Sequence, residues 1–315
     1  MEVTGTQDQT ESEAQQPQSI WKLSNLSWRA LGKKVWLEIY EGTMLTHAAA
    51  LSFYFLLALF PLMLFLITIL GFFAESGTEL RGQMLKTLSR VVPYSASTLI
   101  YSTVDEIGQN ADGSKLSFGI LTALWIASSG MGAISESLNA MYGVKESRSW
   151  WKVRLASIGL TIALAVMIIS ALLLILYGGE FGSAITDYFN QNRDFATFWI
   201  IAQVPVVLIF VLFTFAMIYY FAPNLYDQKW YWITPGSIIG ILLWLLVSFL
   251  FRIYLRYFDS YSVTYGTLGA VIVLMLWFYL TGVAILIGGK INAEIEGAAA
   301  EVGIAGAKQH GQKTL

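Results

Sequence analysis

Residues 260–289, SYSVTYGTLGAVIVLMLWFYLTGVAILIGG, run without a single charged side chain. A helix of that length crosses a hydrocarbon core of about 30 Å. Charge returns at once in KINAEIE, where Lys290 can sit at headgroup level while Glu294 and Glu296 reach water. The stretch therefore reads as a transmembrane helix with one end fixed at an interface. Its opening is unlike a plain lipid anchor. Thr264, Tyr265, Gly266, Thr267 and Gly269 bring hydroxyls and small groups where leucines would suit a helix surrounded by lipid. That start needs protein neighbours, and the remaining chain supplies them.

The 315 residues are 56% hydrophobic and 13% charged, with a mean hydropathy of +0.60. A soluble domain carries roughly 25% charged residues, so the chain is expected to be an integral membrane protein. A net charge of -2 and a pI near 5.8 provide no basic face, and no nucleic-acid partner is expected. The absence of cysteine excludes disulfides, thiolate metal sites and thiol catalysis.

Residues 1–20 are polar and acidic with no Lys or Arg, and are expected to form a disordered tail rather than a signal peptide. From Trp21 to Tyr40, tryptophans and aliphatics alternate with Lys22, Arg29, Lys33 and Lys34, which predicts an interfacial amphipathic helix. Six spans follow, at about 48–73, 116–140, 155–177, 197–221, 233–257 and 264–289. The first holds Pro61, where a kink is expected, and the fourth holds Gln203 and Pro205. The fifth opens with Gly236 and Gly240 at GxxxG spacing. Between the first two spans, apolar residues at helical spacing broken by Pro93 predict a short helical hairpin outside the membrane, and 178–196 reads as a loop. The expected fold is all-α and polytopic: a six-helix transmembrane domain over 21–298 and a cytoplasmic tail over 299–315.

Orientation follows from Lys and Arg near the span ends. An N-terminus in the cytoplasm places twelve of them inside and seven outside. Six spans then return the C-terminus to the same side, and the expected location is a bacterial inner membrane with both termini cytoplasmic.

Three runs, HAAALSFYFLLALFPLMLFL, SGMGAISESLNAMYGVKE and YGTLGAVIVLMLWFYLTGVAILIGGKINAEIE, resemble the YihY/BrkB family of bacterial inner-membrane proteins in this order. The resemblance covers about residues 30–298. It implies six transmembrane helices; some members have carried the name ribonuclease BN and others that of serum-resistance factors.

Ionisable groups inside spans are costly and are the first candidates for function. Arg252 and Arg256 lie one turn apart near the outer end of the fifth span. With Tyr265 they read as an anion-attracting solute path, or else as side chains snorkelling to headgroups. Ser128 and Ser129, beside Gly130 and Gly132, read as close helix packing or as an unwound, solute-lining segment. His47, Glu136 and Glu294 would form a cytoplasmic gate, or would simply be solvated helix ends. Asn139 and Asn292 belong to the same depth.

No HExxH, GxSxG or P-loop occurs, and His47 and His310 stand far apart. No catalytic residue, metal site or cofactor is expected, and ribonuclease activity is not. The favoured reading is a transporter or exporter of a small, anionic solute; the alternative is a non-transporting envelope scaffold or resistance factor. Expected partners are membrane lipids, the unknown small solute and a second copy of the chain in a homo-oligomer.

Overall fold

The computed structural model describes residues 27–40, 42–73, 113–188, 193–225, 233–257 and 260–301. The expected tail at 1–20, the hairpin between the first two spans and the closing tail from 302 lie outside the described residues. Among those described, all regular structure is helical. The helices are α1 (Trp28–Tyr40), α2 (Met44–Phe73), α3 (Gly113–Met141), α4 (Trp150–Tyr188), α5 (Arg193–Phe221), α6 (Pro235–Tyr257) and α7 (Ser260–Glu301).

Local chemistry sets several of the helix ends. Ser27 caps α1 by accepting the Ala30 amide at 3.2 Å. At α6, Thr234 and Ser237 cap reciprocally, each hydroxyl accepting the other's amide at 3.0 Å, and Pro235 fills the first helical position. α3 stops at Gly143, whose φ of 65° suits a residue without a Cβ. There the Val144 amide bonds the Asn139 carbonyl at 2.9 Å and the Gly143 amide bonds that of Ala140 at 3.0 Å, closing a Schellman turn.

α4 runs to Tyr188, through the first half of the stretch expected as a loop. The glycines in GGEFGS weaken a helix but do not break it as a proline would. α2 continues through Pro61 and α5 through Pro205.

Among the described residues, four helices are long and apolar enough to cross a membrane: Trp150–Ala171, Ala202–Phe221, Pro235–Leu255 and Val271–Glu301. A fifth candidate is the pair α1 and the start of α2, bent by 64°. α3 carries Ser128, Ser129, Ser135, Ser137 and Asn139 within its apolar sequence. Most of these hydroxyls and amides are buried against neighbouring helices.

α2 packs on α3 and α7, α6 on α7, α4 on α5, and α3 on α4. The main core lies where α2, α3, α5 and α7 converge, built from Met44, Leu51, Leu138, Met141, Tyr219 and Leu286. Large apolar residues such as Val166, Val204, Ile209, Phe249 and Leu250 stand exposed, as expected where lipid replaces water. At the α6–α7 crossing, a Cβ added to Gly236 would run into the Gly288 carbonyl oxygen. The Tyr219 hydroxyl donates to the Ile285 carbonyl at 2.8 Å and ties α5 to the same crossing.

Candidate functional site

The end of the bundle bearing α1 collects the polar side chains in three groups. The first is a four-charge net. Lys290 and Glu294, one turn apart on α7, pair at 3.1 Å, and each side chain is only 8% exposed. Lys34 and Glu38, one turn apart on α1, complete it: Lys34 meets Glu294 at 2.9 Å and Glu38 meets Lys290 at 3.0 Å. Alternating signs offset the desolvation that would make either buried charge untenable alone. Leu31, Val35, Ile291 and Ile295 form an apolar cluster between the same two helices.

The second group joins the end of α3, the following loop and the end of α5. Asn139 donates to Glu146 at 3.0 Å and accepts the Asn224 amide at 2.6 Å. The Asn224 side chain donates to the Lys145 carbonyl and the Ser147 hydroxyl. Arg148 grips Glu146 through Nε at 2.9 Å and Nη2 at 2.8 Å, and Nη2 also donates to Ser135 and the Ala222 carbonyl. Partial burial pushes the Glu146 carboxyl up. The hydrogen bonds and charge of Arg148, with the Asn139 bond, outweigh it and hold the carboxyl below its usual range.

The third group centres on Asn292 of α7, which accepts the Gly236 amide at 2.9 Å and donates to Thr234 at 3.0 Å. Tyr142 also bonds Asn292; its burial, reinforced by the charge of Glu296 and by Tyr219, raises its hydroxyl pKa well above the usual value.

Of the residues expected to form a gate, Glu294 sits in the charge net. His47 is half-buried in the first turn of α2, and Glu136 is exposed on α3. Ser128 is fully buried and donates to the Trp125 carbonyl of its own helix at 2.7 Å, while Ser129 is half-buried. Arg252 is exposed on α6. The side chains of Arg256 and Tyr265 lie outside the described residues.

Lys34, Glu38 and Lys290 were not among the expected site residues. Their signal was the four-residue spacing of opposite charges on both helices. Arg154 was missed as well: its guanidinium lies 4.1 Å over the Trp125 ring and donates to the Trp125 carbonyl.

Inside the spans, Gln203 Nε2, Ser248 Oγ and Thr281 Oγ1 are buried without a hydrogen-bond partner, as is Arg154 Nε. A small cavity of about 10 Å³ between α3, α4 and α5 is lined by residues including Met131, Leu160, Met167 and Met217. It has room for about one water and is almost wholly apolar. Among the described residues, no three His, Cys, Asp or Glu gather as metal ligands.

Long apolar helices wrapped around a polar, ion-paired end define a multi-pass helical membrane protein. The chain belongs to the Virulence factor BrkB family, which it matches over residues 35–311. That match reaches further into the closing segment than the resemblance read from the three runs. The ribonuclease-like protein YfkH of Bacillus subtilis is 39% identical over 255 residues, covering 81% of this chain and 90% of YfkH. A UPF0761 membrane protein of Haemophilus influenzae is 23% identical over 280 residues, covering 86% of this chain and 97% of the relative. Another, from Idiomarina loihiensis, is 28% identical over 173 residues, covering 53% of this chain and 56% of that protein. No solved structure matches the chain.

Proposed function

We propose that this protein is a transporter or exporter of a small, anionic solute in the bacterial inner membrane, with both termini in the cytoplasm. The observation that carries the reading is the set of unpartnered polar atoms, Gln203 Nε2, Ser248 Oγ and Thr281 Oγ1, buried in three different spans. Hydrocarbon offers such groups nothing, so they call for water or a passing polar solute. Exposed Arg252 at the far end of α6 supports an anionic cargo, with Arg256 one turn on. The charge net and the asparagine bonds then serve as the closed inner end, which must part for passage. Bacterial relatives and the distribution of Lys and Arg support the membrane and the orientation.

The test is flux of phosphate, acetate and chloride in proteoliposomes. Uptake of at least one above protein-free vesicles is expected, with severe loss in an Arg252→Gln, Arg256→Gln double variant and partial retention in the lysine variants, which keep charge but not the guanidinium fork. Full flux with both arginines removed would overturn the anion path.

The second reading is a non-transporting envelope scaffold or resistance factor. Absence of flux for every anion, from protein that is folded and monodisperse, would favour it.

A further inference from the structure

We propose that the outward face of α1 is a docking surface for anionic phospholipid headgroups of the adjoining leaflet. The helix sorts its charges by face. Its one acid, Glu38, turns inward to Lys290, and Lys34 turns inward to Glu294. Leu31 and Val35, on the same side, are buried against α7. On the opposite side, at helical spacing, stand Arg29, Lys33, Trp36 and Tyr40, all exposed; Trp36 is 65% and Tyr40 80% accessible.

Among the described residues Arg29 and Lys33 meet no acid within ion-pair distance, whereas the other Lys of α1 that adjoins Glu294 does. The face therefore presents two uncompensated positive charges interleaved with two amphipathic rings. Water alone is a poor environment for Trp36 and Tyr40, and hydrocarbon alone a poor one for Arg29 and Lys33. The headgroup layer suits both, because rings settle at the interface while basic side chains meet lipid phosphates. The geometry of the chain permits it: α1 meets α2 at 64°, so it is not collinear with the helix that enters the bilayer. An acidic headgroup is selected over a zwitterionic one because, among the described residues, no carboxylate stands on this face for a positive lipid group.

The protein contains no cysteine, so Leu37→Cys introduces a single labelling site at the edge of the face. The full chain carrying an environment-sensitive fluorophore there is placed in nanodiscs of phosphatidylcholine and phosphatidylglycerol, with bromine on one lipid or the other near the headgroup. Stronger quenching by brominated phosphatidylglycerol is expected. Removing charge with Arg29→Gln and Lys33→Gln should weaken that preference about fivefold per residue, at roughly 1 kcal/mol for each charge. Arg29→Lys should retain it. Equal quenching by both lipids, or a preference that survives the double Gln variant, overturns the proposal. So does a label reached by aqueous iodide whatever the lipid, and so does one shielded from iodide and lipid alike, which would mean a protein covers the face.

Discussion

Asn139 holds three pieces of chain together with one side chain: α3, which carries it, the loop at Glu146, and the end of α5 at Asn224. Asn139→Leu keeps the branched shape but removes the acceptor of the buried Asn224 amide. A loss of about 1–3 kcal/mol is expected, read as a lower melting temperature in detergent. Glu146 gives a pH prediction at the same scale. Its folded pKa is depressed, so its contribution is present above the unfolded pKa and is lost as pH falls through the folded value. Acidification below the ordinary glutamate range should therefore lower the melting temperature more in the native chain than in Glu146→Gln. Equal slopes would show that Arg148 does not favour the carboxylate. Asn139 and Asn292 were legible as polar marks at one depth, but their partners were not. Asn139 and Asn224 are 85 residues apart, and no spacing rule links residues that meet only through tertiary packing.

At the scale of elements, the α6–α7 crossing depends on the absence of side chains. Gly236→Ala should push a methyl against the Gly288 carbonyl, and Gly288→Ala should meet the Tyr219 hydroxyl and the Gly236 carbonyl. Each should cost about 1–3 kcal/mol through forced separation of the helices. Gly159→Ala, with nothing within 4 Å of the added carbon, is the control and should leave the melting temperature unchanged or slightly raised. A control as damaging as the other two would mean that close approach at the crossing is not the cause, since Ala by itself favours a helix over Gly. The GxxxG spacing of Gly236 and Gly240 exposed this contact in the sequence. Gly288 did not stand out, because in an apolar run a small residue facing a helix looks the same as one facing lipid. The long uncharged stretch of α7 was legible for the opposite reason: hydropathy is a property of the run itself and needs no partner.

For the whole molecule, reporter fusions after Gln109 and after Lys308 should report opposite sides of the membrane; the same side for both would refute the proposed six-span orientation. Purified protein with divalent metal is expected not to hydrolyse tRNA. Turnover that vanishes in Glu136→Ala or Glu294→Ala would show otherwise. The four-charge net also bears on how the chain is made. Lys34 and Glu38 come from the first described helix, Lys290 and Glu294 from the last. During synthesis the first pair emerges long before its partners exist, so α1 must wait at the membrane surface while the intervening helices are made. Only when α7 is in place can its charges shed their water and α1 seat itself. The net therefore closes last and joins the two ends of the membrane domain, so a chain cut short before Lys290 leaves the paired face of α1 open to the cell's proteases.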